Sequence, residues 1–205
     1  MKATITISLL FALLLSACYL DIYEIGNSSS SYYSSDSLSS PSSSSSRKIE
    51  LLDSLHCDGQ SYKIVEMDTQ TWMAQNINEI PKAGNYWCYG GFEENCDIYG
   101  KLYDWEAAMS VCPDGWKLPS KEDFENLSKY EDVLNATSVW HTIYAGLKYE
   151  EEDRGYDFRE KEGYWWSSTE SGKFAHYRQI IKGDSRLRSY DVFKTRGFSV
   201  RCIKK

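Results

Sequence analysis

Residues 112–127 read CPDGWKLPSKEDFENL, and residues 196–205, the end of the chain, read RGFSVRCIKK. The first stretch predicts a helix that stops at a cysteine, a tight turn, and a second helix. Asp114-Gly115 is a turn pair. Ser120 is a preferred helix N-cap, and Asp123 three residues on makes a variant of the capping box. Phe124, Leu127 and Leu134 then supply a buried stripe at helical spacing. Upstream, LYDWEAAMSV (102–111) predicts the helix that ends at Cys112, with Trp105, Ala108 and Met109 on one face. In the terminal stretch Phe198, Val200 and Cys202 alternate with Ser199, Arg201 and Ile203. That period predicts a strand with the first set facing the core.

Working outward, YKIVEM (62–67) and residues 70–74 predict two strands joined by a turn at Asp68-Thr69. Further strands are predicted over 164–169, 174–181 and 187–193, with turns at Gly183-Asp184 and Arg196-Gly197. The acidic run EEEDRGYDFREKE (150–162) predicts a surface loop. The fold class is therefore α+β: two helices with a mixed or antiparallel sheet, rich in loops.

The N-terminus has different physics. Residues 1–17 begin with Met1-Lys2 and carry an eleven-residue, mostly apolar stretch from Ile5 to Leu15. Such a helix spans about 16 Å, short of the roughly 30 Å of a bilayer core. A signal peptide is the better reading. Leu15-Ser16-Ala17-Cys18 is similar to a bacterial lipobox, which implies that Cys18 is lipidated and becomes the first mature residue. Tyr19 after it, where Asp would imply retention at the inner membrane, points to the outer membrane. Between Ser28 and Ser46, 14 of 19 residues are serine, too few apolar groups to offset ordering entropy. As a flexible coil, residues 19–55 would reach about 30–40 Å. The expected division is 1–17 leader, 18–55 lipidated cysteine and tether, and 56–205 globular head.

Of the 6 Cys, five remain beyond Cys18. In an oxidising compartment pairing is the default. Cys88 and Cys96 flank a short Gly-containing loop and can close locally. Cys112 with Cys202 would then staple most of the head, and Cys57, at its edge, would be left free. No C-x-x-C occurs, and His56, His141 and His176 lack ligand spacing, so no metal and no cofactor is expected.

Five segments carry a family resemblance: DGQSYKIVEMDTQTWMAQNIN (58–78), NYWCYGGFEENCDIYGKLYDWEAAM (85–109), CPDGWKLPSKEDFENL (112–127), GYWWSSTE (163–170) and RGFSVRCIKK (196–205). Together they resemble the Fibrobacter succinogenes major paralogous domain, in which a lipoprotein leader and serine-rich tether are common. The resemblance implies display on the surface of a fibre-degrading bacterium. More distantly, the helix ending in Cys112, the Gly-Trp turn and the last strand with Cys202 resemble a C-type lectin-like domain. That likeness implies a Cys112–Cys202 bridge. The Glu-Pro-Asn, Gln-Pro-Asp and Trp-Asn-Asp calcium-site motifs of such lectins do not occur, so sugar binding does not follow from fold.

The chain has 23 Lys+Arg against 30 Asp+Glu, a net charge of −7, which argues against nucleic acid as partner. Charge is segregated: residues 176–205 carry 9 basic and 2 acidic side chains, residues 121–162 carry 6 and 12. Arg178, Arg186, Arg188 and Arg196 either dock an acidic polysaccharide or neutralise the acidic half. Residues 58–205 hold 7 Trp, 12 Tyr and 6 Phe. Trp87, Tyr89, Trp140, Tyr156 and Trp165, with Tyr86, are candidates for stacking on a sugar ring, the alternative being that they pack the core. Trp165 and Trp166 point to opposite faces of a strand, one expected in the core and the other at the surface or beneath a loop. Glu150 to Asp153 read as a solvated charge run rather than a calcium site. Ser167-Ser168 with a distant His176 is no nucleophile motif, so a non-catalytic head is expected. Its expected partners are the membrane, through the lipid anchor, and either polysaccharide or envelope proteins.

Overall fold

A computed structural model describes residues 18–20, 49–57, 59–130, 140–184 and 186–205. The leader, the serine stretch 28–46 and Leu134 lie outside the described residues. In chain order the strands are β1 Tyr19–Leu20, β2 Ile49–Cys57, β3 Gln60–Met67, β4 Gln70–Met73, β5 Tyr86–Trp87, β6 Leu102–Tyr103, β7 Trp116–Lys117, β8 Leu147–Lys148, β9 Tyr156–Asp157, β10 Glu162–Ser171, β11 Phe174–Ile181, β12 Arg188–Phe193 and β13 Ile203–Lys204. Among the described residues three α-helices interrupt them: α1 Glu93–Tyr99, α2 Trp105–Val111 and α3 Lys121–Leu127. The strands form a six-stranded sheet, β1-β2-β3-β4-β13-β7, a three-stranded sheet, β10-β11-β12, and two ribbons, β5-β6 and β8-β9. Every pairing between strands is antiparallel. The α+β class holds.

Local chemistry explains the helices. At α3, Ser120 Oγ accepts from the Asp123 N–H and the Asp123 carboxylate accepts from the Ser120 N–H, closing the capping box. Helix α2 begins later than predicted. Asp104 caps it through the Ala107 N–H, and Leu102–Tyr103 pairs instead as a strand with Tyr86–Trp87. Helix α1 was not predicted, because EENCDIY buries only Cys96 and shows no apolar stripe.

The terminal segment is not a half-exposed strand. Residues Phe198 to Ile203 are all buried, and only Ile203–Lys204 pairs as a strand. Met73 and Ile77 donate to the carbonyls of Cys202 and Val200, Tyr103 exchanges two bonds with Phe198, and Trp166 and Tyr164 hold Ser199. The segment therefore lies between two cores. One gathers Tyr103, Trp116, Tyr164, Trp166 and Phe198. The other gathers Trp72, Phe124, Trp140, Trp165 and Ile203. Trp165 and Trp166 do point to opposite faces, but each face has its own core, so neither reaches the surface.

Arg201 sits fully buried in this seam. Its guanidinium donates to Asn76 Oδ1 (3.0 Å) and to the carbonyls of Trp140 (2.7 Å) and His141 (2.8 Å). It lies over the Trp140 ring at 4.4 Å. Trp165 Nε1 also donates to Asn76 Oδ1, at 2.8 Å. These hydrogen bonds and the cation–π contact stand in for the water that burial removes.

Three disulfides are present: Cys88–Cys96, Cys112–Cys202 and Cys18–Cys57. The third corrects the expectation of a free Cys57. β1 adds to the end of β2, with Tyr19 opposite His56 and Leu20 opposite Leu55, and this brings Cys18 to Cys57. β2 itself lies inside the span assigned to the tether. Its Leu55 and Cys57 are buried and it pairs along β3, so the sheet takes in residues 19–20 and 49–55 of that span rather than starting at residue 56.

Candidate functional site

Part-exposed rings from separate segments are joined by a series of ring–ring and cation–ring contacts. The β5 strand carries Trp87, and the 3-10 turn Tyr89–Gly91 that follows carries Tyr89. The β8-β9 ribbon sets Lys148 opposite Tyr156. Tyr156 meets Tyr89, ring centroids 5.2 Å apart, and Lys148 Nζ stands 4.6 Å over Trp87. Gly197 backs this contact. A Cβ there would lie 2.9 Å from Lys148 Cβ and 3.2 Å from Trp87 Cε3, so the close approach requires glycine.

The band extends both ways. Arg159 lies over Tyr89 (5.1 Å) and Tyr99 (5.7 Å), and the Tyr99 hydroxyl donates to Glu160 at 2.7 Å. In the other direction Tyr149 is held between Arg154, at 3.8 Å, and Arg196, at 4.7 Å. Arg196 is paired with Glu150. The charge of Arg196 reaches Tyr177 on β11, and directly opposite on β12 stands Tyr190, which is 47% exposed; the two ring centroids are 5.8 Å apart. Burial raises the phenol pKa of Tyr89, Tyr156 and Tyr177, and the bond to Glu160 raises that of Tyr99. The hydroxyls stay protonated and able to donate.

Trp87, Tyr89 and Tyr156 are thus brought together. The other candidates are not. Trp140 and Trp165 are each 2% exposed, in the second core, and Arg178, 6% exposed, donates to the Lys121 carbonyl over Phe124. None of these three can meet a ligand. Arg188 and Arg186 are spent on Asp184, whose carboxyl they hold well below the usual range. Of the five arginines in the basic terminal region, Arg186, Arg188 and Arg196 neutralise acid within the fold and Arg178 and Arg201 are buried, so only Arg196 reaches the band. Sequence reading missed Tyr99, Tyr149, Tyr177 and Tyr190. No local signal marks them, since their grouping arises only from the convergence of β5, β8, β9, β11 and β12.

Two chemical alternatives resolve differently. Cys88, Glu93 and Cys96 cluster closely enough for a metal, but the two sulfurs are bonded to each other and are not thiolate ligands. His176 pairs across the strands with Asp191, while Ser167 Oγ accepts from the Thr169 N–H. No helix among the described residues is long and apolar enough to cross a membrane.

Residues 65–151 match the family described as the Fibrobacter succinogenes major domain. That match covers 87 of the 205 residues and supports the family assignment that the five segments suggest. No curated protein and no solved structure matches the chain. Within the Fibrobacter major domain segment lie Trp87, Tyr89, Tyr99, Lys148 and Tyr149, whereas Tyr156, Arg159, Tyr177, Tyr190 and Arg196 come from the chain beyond it.

Proposed function

We propose that this protein is a non-catalytic, surface-displayed module that binds glycan through the aromatic band. The observation that supports this most is the contact series that brings Trp87, Tyr89, Tyr156 and Tyr99 together with Lys148 and Arg159, with Tyr149 beside Arg196 and Tyr177 within reach of that arginine's charge. Pyranose C–H faces pack on such rings by dispersion, and the flanking cations and phenols can bond the hydroxyls. The cations stand over several rings, so a sugar meeting Trp87 face-on must first displace the Lys148 ammonium. Displacement gives up a cation–π contact of about 0.5–1 kcal/mol and the ammonium's 2.9 Å bond to the Tyr149 carbonyl. A neutral plant-wall polysaccharide suits the band better than an acidic one, because Glu150 and Glu160 lie among its cations. Retention of the full chain on insoluble cellulose or xylan tests the reading.

The lipobox supports anchoring at the outer membrane through Cys18, with the head outside. The Cys112–Cys202 bridge, joining the end of α2 to the residue before β13, is what supports a C-type lectin-like relationship. Docking to another envelope protein is the second reading, favoured by the exposed Phe92 and Ile98 of the α1 region. Crosslinking on intact cells separates the two, since that reading predicts protein neighbours and indifference to glycans.

A further inference from the structure

The Cys18 sulfur is asked to do two things. The lipobox makes it the acceptor of a glyceryl group, and the structure bonds it to Cys57. A thioether and a disulfide cannot share one sulfur. The dock that receives Cys18 is more than a stray thiol. Tyr19 and Leu20 extend the sheet on His56 and Leu55, the Tyr19 ring stacks on the His56 imidazole at 5.2 Å, and Cys57 is buried beneath. Ladder, ring stack and sulfur all select the same occupant, the segment Cys18-Tyr19-Leu20 of this chain.

We infer that the chain exists in two exclusive forms set by the fate of Cys18: an acylated form with Cys57 as a thiol, and a stapled form in which Cys18–Cys57 closes the intervening chain into a loop and no thioether anchor is possible. The inference rests on the anchoring reading above. In acylation the Cys18 sulfur bonds a glyceryl carbon as that carbon's bond to a phospholipid headgroup phosphate breaks, and the thiol proton leaves with the headgroup. In stapling two thiols exchange with an oxidised dithiol carrier. One S–S bond forms in the protein, the carrier's S–S bond breaks, and the carrier leaves as two thiols, reduced by the pair of electrons the cysteines lose.

The test is mass spectrometry of the full chain exported by a diderm bacterium. Cells are quenched in acid, thiols are alkylated under denaturing conditions, and the protein is digested without reduction. Acylated Cys18 peptides should appear only from membrane-bound chains whose Cys57 is alkylated. The linked Cys18–Cys57 peptide should come only from non-acylated chains. Cys57→Ser should abolish the linked peptide and raise the acylated fraction, with the Cys88–Cys96 and Cys112–Cys202 peptides unchanged as a check on folding. Non-acylated chains with both thiols alkylated would overturn the staple. Acylated chains alone, or an acylated fraction unmoved by Cys57→Ser, would overturn the competition. Linked peptide with no acylated chain at all would remove the anchoring reading and, with it, the two-form claim.

Discussion

Arg201 is the residue on which the two cores meet. Burial pulls its pKa down, while three hydrogen bonds and the Trp140 ring keep it charged. Truncation would open a cavity, take the guanidinium donors from two backbone carbonyls, and leave Asn76 Oδ1 with Trp165 Nε1 alone. Arg201→Ala should therefore cost about 3–5 kcal/mol in urea unfolding. A loss below about 1 kcal/mol would show that the seam repacks. Tyr103 gives a second residue-scale test. It is fully buried with its hydroxyl donating to the Glu79 carbonyl at 2.7 Å, and desolvation raises its pKa well above 10.0. A group whose folded pKa is raised holds its proton more tightly when folded. Its contribution is intact below about pH 10, the unfolded pKa, and is lost as pH rises above it. Thermal stability should fall steeply above about pH 10, and Tyr103→Phe should flatten that fall.

At the scale of elements, legibility follows range. The Ser120–Asp123 capping box was readable because both partners lie within four residues. The opposite orientation of Trp165 and Trp166 was readable too, but not their common burial, since alternation does not reveal that β10 has a core on each face. The terminal strand misled for the same reason. Cys57 was left free because the lipobox reading set its partner Cys18 aside, and the two-residue strand that delivers Cys18 has no local signature. The Cys112–Cys202 bridge closes a separation of 90 residues, worth about 4–5 kcal/mol of chain entropy. Replacing both with serine should lower stability by up to that amount in a denaturant titration, and an unchanged midpoint would deny the staple its role. The β8-β9 ribbon depends on Gly146, at φ +69°, where a Cβ would fall 2.2 Å from the Asp157 carbonyl. Gly146→Ala should destabilise the fold by about 2–3 kcal/mol and displace Tyr156 from Tyr89. Loss of the band's binding should accompany any loss of stability.

For the molecule as a whole, an aromatic excess that composition cannot interpret divides into two populations. Trp72, Trp140, Trp165, Trp166, Tyr103 and Phe124 fill the two cores. Trp87, Tyr89, Tyr99, Tyr149, Tyr156, Tyr177 and Tyr190 are part-exposed, and most of them lie against cations. The first population accounts for stability, and the second is the basis of the proposed binding. Retention of the purified full chain on an insoluble polysaccharide panel, with Trp87→Ala and Tyr89→Ala measured beside it, tests that division most directly. The parent chain should be retained on at least one polymer, and each substitution should weaken retention tenfold or more with the thermal midpoint nearly unchanged. Lack of retention on every polymer, or equal retention of parent and variants, would contradict that division.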